Sequence, residues 1–193
     1  MEITGSYMLP CSPETAWQAL NDTEVLKSCL KGCEALERTA ETEFTGKVAA
    51  KIGPVSARFS GTMRQTERDP PRSCRMQFEG QGGVAGFAKG GALVTLMPQG
   101  GGTELTYVAD TQIGGKLAQM GARLVEGTAK SMADDFFGKF AAAVAAIEPE
   151  AGPVAAPAQD SPSAEEPSGT PAWLVPAVII VIAAIAAVAV FFH

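Results

Sequence analysis

Between residues 44 and 113 the chain alternates apolar and polar side chains with a period of two, and from residue 116 the period becomes that of a helix. Phe44, Gly46, Val48, Ala50 and Ile52 alternate with Thr45, Lys47, Ala49 and Lys51, then Val55, Ala57, Phe59, Gly61 and Met63 with Ser56, Arg58, Ser60, Thr62 and Arg64. Successive side chains of a strand point to opposite faces, so each run has one wet and one dry side. Gly53-Pro54 between the runs is turn chemistry, which makes them a hairpin. After a second break at Asp69-Pro70-Pro71, Cys74, Met76, Phe78 and Gly80 alternate with Arg75, Gln77 and Glu79. Two further strands over 88–96 and 105–113 are joined through residues 98–102. Short strands joined by tight turns predict an antiparallel sheet.

Two short helices precede this run. A strand over 2–9 leads to Ser12-Pro13-Glu14, an N-cap, a proline at the first helical position and an acid in the first turn. That helix carries Trp17 and Leu20 on one side. Asn21-Asp22-Thr23 breaks it and caps a second helix over 24–29, which Gly32 closes. After the strands, Leu117, Met120, Leu124, Val125, Met132, Phe136, Phe140 and Val144 recur at three- and four-residue steps, with Arg123, Glu126, Lys130 and Asp134 on the other side. The spacing predicts one amphipathic helix over 116–147, ~45 Å long, whose stripe needs the inward face of the sheet as its partner.

The inward face is short of bulk. Gly46, Ala50, Ala57, Gly61, Gly80, Gly90, Ala92 and Ala109 stand where a filled core would place larger side chains. Under a helix offering Leu, Met and Phe, they leave an apolar cavity, or else they serve sheet curvature and close helix approach.

The C-terminal part differs in kind. Residues 148–171 are rich in Pro, Ala, Ser and acids and have nothing to build a core from, so the expectation is a disordered tether, ~70 Å at full stretch. Residues 172–192 read AWLVPAVIIVIAAIAAVAVFF, without a charge and of bilayer-spanning length, with Trp173 suited to the interface. All fifteen Lys and Arg precede residue 149, beside seventeen acids, so no basic excess exists for nucleic acid. The N-terminus has no basic segment followed by an apolar core, so the expectation is a domain facing the cytoplasm and a single C-terminal transmembrane helix in the cytoplasmic membrane.

Candidate chemistry is thin. Cys11, Cys29, Cys33 and Cys74 form no CxxC pair and the only histidine is His193, so neither a zinc site nor a Ser-His-Asp set is expected, and reduced, inert thiols are. The glycines of residues 82–91 lack a Gly-Lys-Ser/Thr ending and suit the rim of a cavity mouth or a plain strand connection. Asp134 and Asp135 point ~100° apart on a helix, Asp134 to water and Asp135 nearer the packed face, where it can bond the sheet.

Several stretches together resemble the carbon monoxide dehydrogenase G-subunit family of the START-like (SRPBCC) superfamily. They are Asn21-Asp22 with Val25-Leu26, Gly32-Cys33-Glu34, Gly53-Pro54-Val55 with Ala57-Arg58-Phe59, Asp69-Pro70-Pro71, Gly86-Phe87-Ala88-Lys89-Gly90, Gly114-Gly115-Lys116-Leu117-Ala118 and Ala133-Asp134-Asp135-Phe136-Phe137. Lys31 departs from the proline expected before Gly-Cys. The resemblance covers residues 1–147. It implies an α+β helix-grip fold, with a curved antiparallel sheet wrapped around a long C-terminal helix, and a non-enzymatic accessory role. Such subunits are associated with molybdenum hydroxylases and their recruitment to the cytoplasmic membrane.

The expected ligand is a hydrophobic small molecule such as menaquinone or ubiquinone, with no covalently bound cofactor. Its expected lining on the sheet is Val48, Ala57, Phe59, Met76, Phe78, Phe87, Gly90, Val94, Tyr107 and Ala109. On the helical side it is Leu117, Met120, Leu124, Met132 and Phe136. The expected partner is a molybdenum-containing dehydrogenase of the carbon monoxide dehydrogenase type, besides the lipid bilayer. The other readings are a lipid- or isoprenoid-transfer module independent of any dehydrogenase, and a small-molecule-modifying enzyme.

Overall fold

The computed structural model describes residues 1–52 and 55–148. The elements are β1 (Glu2–Leu9), α1 (Pro13–Ala19), α2 (Thr23–Cys29), β2 (Cys33–Ala40), β3 (Glu43–Ile52), β4 (Val55–Asp69), β5 (Ser73–Gln81), β6 (Phe87–Gln99), β7 (Gly102–Gly114) and α3 (Ala122–Ile147). The strands form one antiparallel sheet in the order β1-β7-β6-β5-β4-β3-β2. Consecutive strands from β2 to β7 are neighbours, and β1 closes on β7. The turn at Gly53-Pro54, the tether beyond Glu148 and the apolar segment 172–192 lie outside the described residues. Among the described residues no helix is long and apolar enough to cross a membrane.

Local chemistry sets the helix starts. The Ser12 side chain accepts from the Thr15 N–H at 3.2 Å, with Pro13 in the first turn of α1. Asp22 caps α2, accepting from the N–H groups of Glu24 at 2.8 Å and Val25 at 3.3 Å. β2 has no counterpart in the alternation read above, because this edge strand buries only Leu36.

The long helix is shorter than its spacing predicts. Residues 118–120 form a single 3₁₀ turn, and Gly121, at φ +92°, interrupts the chain before α3 begins at Ala122. A residue with positive φ cannot continue a right-handed helix, so Leu117 and Met120 belong to the approach to α3. The buried stripe of α3 is Val125, Ala129, Ala133, Phe136, Phe137, Phe140 and Val144, whereas Leu124 is exposed. Arg123, Glu126 and Lys130 face water.

α3 packs against α1, α2 and β1. Its N-terminal end follows β7 beside the loop between β5 and β6. Its C-terminal end reaches α1, where the Glu148 carboxylate accepts from the Ser12 N–H at 3.0 Å and the Ser12 hydroxyl at 3.2 Å. These bonds hold the Glu148 carboxyl below its usual range. Leu9, Leu26, Phe44, Met63, Leu96, Leu105, Phe137 and Phe140 belong to one continuous core between sheet and helices.

Candidate functional site

The register of the sheet gathers its smallest residues into one row. Gly46 pairs with Gly61, Gly61 with Gly80, and Gly80 with Ala88, across β3 to β6. Four strands set ~4.8 Å apart make this a floor ~15 Å long. On one side stands the row Phe44, Met63 and Phe78, continuing through Gly90 to Thr111. On the other stand Val48 and Phe59, which pair with each other. The result is a trough on the inner face, floored by glycine and alanine and walled by large apolar side chains.

Its two ends differ. At Gly46, Leu36 Cδ1 comes within 3.6 Å of where a Cβ would stand. The space left among Leu30, Leu36, Phe44, Val48 and Met63 is only about 10 Å³. At Gly80 a Cβ would meet no atom within 4 Å, although the residue is buried. Protein interiors are close-packed, so a buried glycine with open space above it marks a hollow. The helix deepens it by polarity. The N-terminal half of α3, at this end of the sheet, buries Val125, Ala129 and Ala133, while its phenylalanines come later. The buried positions of this half of α3 are thus small, where the sequence pattern suggests Leu, Met and Phe.

Of the expected lining residues, Phe59, Met76, Phe78, Val94, Tyr107, Ala109, Leu117 and Phe136 are buried in the common core, and Val48 is buried on β3. Met120 and Met132 are partly buried against that core. Gly90 opens no space, because the Phe78 ring lies over it, with Cζ 2.9 Å from the Cβ position. Phe87 and Leu124 are not interior: they are 40% and 46% exposed. The Phe87 ring covers Gly114 instead. The Ala57 side chain lies outside what the structure describes.

Three residues of the inner side escape a reading by periodicity. Thr111, 1% exposed on the inner face of β7, has a buried hydroxyl without a hydrogen-bond partner among the described residues. A ligand oxygen would satisfy it. Tyr7 stacks on Phe137 at 4.1 Å between ring centroids, and Phe137 meets Phe136 edge-on at 5.1 Å. The Tyr7 hydroxyl donates to Asp134 Oδ1 at 2.8 Å, which ties α3 to β1. This corrects the assignment of the acids. Asp134 makes the sheet contact, and Asp135 is exposed. The signal for Phe137 is the Phe136-Phe137 doublet itself, since a helix wide enough to pack on both strand and helix partners buries adjacent positions.

The ionisable groups offer little chemistry. Burial, then the Asp134 carboxylate, pushes the Tyr7 phenol well above its usual value, and burial does the same to Tyr107. Burial pushes the thiols of Cys11 and Cys74 up to about 11 and raises those of Cys29 and Cys33. All four are therefore protonated, weak nucleophiles at neutral pH. Among the described residues no cluster of His, Cys, Asp and Glu could hold a metal ion. Two depressions, about 620 and 490 Å³, lie on the outer face among side chains such as Arg64, Gln77, Glu79 and Lys89. They follow the curvature of a wet sheet face and are lined by mixed charges, so the inner hollow is the better candidate for an apolar ligand.

A profile of the family described as the G subunit of carbon monoxide dehydrogenase (CoxG) matches residues 5–145. The chain belongs to this family. Among solved structures, a conserved protein from Geobacillus kaustophilus is 30% identical, with a TM-score of 0.71 over 76% of this chain and 96% of that one. A START superfamily protein from Mycobacterium smegmatis shares 13% identity with a TM-score of 0.61, over 76% of this chain and 99% of its own. A protein from Thermus thermophilus shares 18% with a TM-score of 0.54, over 76% and 99%. The last two carry the fold alone, which is START-like. A search of curated protein sequences found no match. The described domain is thus a member of the CoxG family with a START-like fold, a curved antiparallel sheet with a long helix.

Proposed function

We propose that this CoxG-family protein is a non-enzymatic, membrane-tethered carrier that serves a molybdenum-containing dehydrogenase of the carbon monoxide dehydrogenase type. Its domain holds an apolar ligand, a respiratory quinone such as menaquinone or ubiquinone, in the trough over Gly80. Residues 172–192 anchor it in the cytoplasmic membrane with the domain on the cytoplasmic side, and residues 148–171 give it reach. The observation that carries the ligand reading is the buried Gly80, with no atom within 4 Å of its Cβ position. The family match supports the partner, and the uncharged run of 21 residues supports the anchor.

Two measurements test this. Solvent extraction of the full chain purified from its native membranes should yield an isoprenoid quinone. Its persistent absence after overproduction refutes the ligand. Cells producing a chain without residues 172–193 should lose membrane association of the dehydrogenase, and an unchanged distribution refutes recruitment. A bound isoprenoid with no dehydrogenase in a pull-down would leave a transfer module that serves no such enzyme.

A further inference from the structure

A second polar site stands on the inner face, behind the Phe44–Met63–Phe78 wall of the trough. Gln65 lies four residues along β4 from Gly61, ~13 Å away and beyond Met63. It is 4% exposed, and neither polar atom of its side-chain amide has a hydrogen-bond partner among the described residues. Its backbone is fixed, since its N–H donates to the Thr42 carbonyl at 2.9 Å. The next step along β4 is a bulge. Gln65 pairs with Met76 and Glu67 with Arg75, which leaves Thr66 as the extra residue. The bulge reverses the alternation, so Glu67 faces outward with Arg75, and Arg68 faces inward with the buried Cys74. The Arg68 side chain is 20% exposed, and its Nε is buried without a hydrogen-bond partner among the described residues. From β2, Arg38 lies opposite Phe44 and sets its guanidinium 5.0 Å from the centre of that ring. Burial, then the Arg68 charge, pulls the Arg38 guanidinium below its usual value, and Glu41 acts against them. Gln65 and Arg68 likewise work against the burial that raises the Cys74 thiol.

We infer that Arg38, Gln65 and Arg68 form a binding site for the carboxylate of a small organic acid. Two guanidiniums and a primary amide gather N–H donors in one place, and an ionised carboxylate is a pure acceptor whose two oxygens match a guanidinium fork. The structure shows this chemistry in one pair already. The Glu41 carboxylate, on the turn between β2 and β3, accepts from Arg68 Nη1 at 3.3 Å. Glu41 is 68% exposed, so that pair contributes little and yields to a ligand that also reaches the buried amide. Two arginines against one glutamate leave a single positive charge, which suits a monoanion better than the dianion of a phosphate monoester. The depth of Gln65 excludes a bulky group and favours a small molecule. Its amide oxygen is left for a donor on the same ligand, so glycolate, with a hydroxyl beside its carboxylate, is the probe of choice. The site is separate from the hollow over Gly80, and the inference rests on neither the quinone nor the anchor.

The test uses the full chain in a non-ionic detergent, isotope-labelled and followed by NMR, with sodium glycolate titrated against sodium chloride at equal ionic strength. The Gln65 side-chain amide and Arg68 Nε–H signals should move together and saturate with glycolate, and should stay in place with chloride. Arg68→Met should weaken binding by about 10-fold or more, the loss of a hydrogen bond to a charged group. Glu41→Gln, on an exposed turn, should tighten it several-fold, because it removes the carboxylate that competes for Arg68. Gln65→Leu serves where Arg68→Met does not fold. It replaces an unpartnered buried amide by an apolar group of similar size, so it should be at least as stable as wild type without glycolate and should lose the saturable Arg68 response. Shifts that grow without saturating, or equal shifts with chloride, overturn the site. So does a Glu41→Gln chain that binds no more tightly. A Gln65→Leu chain markedly less stable than wild type overturns it as well, since the amide would then be paired inside the protein. Inorganic phosphate that saturates the same signals at lower concentration than glycolate overturns the carboxylate assignment.

Discussion

Gly80→Val turns the hollow into a question of sign. If the space is there, a valine enters it without displacing anything, because no atom lies within 4 Å of the first carbon it adds. Fully burying a valine side chain is worth about 1.5–2 kcal/mol, and removing a glycine's freedom from the unfolded chain adds roughly 0.5–1. Buried-area figures are upper bounds, and the β-branched side chain gives up rotamer freedom, so the expected net gain is about 1–2 kcal/mol. For a domain of this size that is ~3–6 °C in melting temperature. The assay is urea and thermal unfolding of delipidated protein, with ligand extraction from the membrane-purified variant alongside. The variant should be the more stable protein when empty and should carry less isoprenoid. A loss of 1 kcal/mol or more would mean that neighbouring atoms already occupy the space, since overpacking a filled core costs roughly 1–3 kcal/mol. A gain in stability with undiminished ligand would mean that the ligand sits elsewhere.

Three further changes probe the frame around the trough. Thr111→Val replaces a buried, unpartnered hydroxyl by a methyl, so the empty protein should gain roughly 1 kcal/mol in urea unfolding, whereas a loss would reveal a partner inside the protein. Phe137→Ala removes the ring between Tyr7 and Phe136 and should cost ~3–5 kcal/mol, with Phe137→Leu well below that; equal small effects would mean that α3 is not held through this stack. Glu148 is held below its usual carboxyl range in the folded state, so its contribution is present above the unfolded value of 4.5 and is lost as pH falls through the depressed one. Wild type should therefore outlast Glu148→Gln in thermal melts at neutral pH, with the gap closing in acid; a pH-independent gap would contradict the Ser12 contact.

The sheet was legible because its inner face repeats with period two, and the register then follows from tight antiparallel connections. Phe44, Met63, Met76 and Phe78 lie inside as their positions dictate. What periodicity does not encode is why a small residue is small. Gly46, Gly80 and Gly90 look alike in sequence, yet Leu36 fills the first, the Phe78 ring covers the third, and only the second stands open. The difference comes from neighbours on other strands. The same limit hid Tyr7 and Asp134, which are 127 residues apart, and moved Phe87 and Leu124 outward, since an element's end no longer obeys the face of its middle.

The distribution of bulk along α3 then explains how one helix can both hold the fold and leave room in it. Phe136, Phe137, Phe140 and Val144 fasten its C-terminal half, where Phe137 stacks on Tyr7 and Glu148 just beyond the end holds Ser12. Val125, Ala129 and Ala133 give its N-terminal half little to fill space with, and Gly121 separates that half from the strand before it. Opening energies within a domain follow the density of buried apolar contacts, so the N-terminal half of α3 should exchange its amide hydrogens faster than the C-terminal half. Uniform protection along α3 would refute this division and leave the trough no way to admit a ligand as large as a quinone.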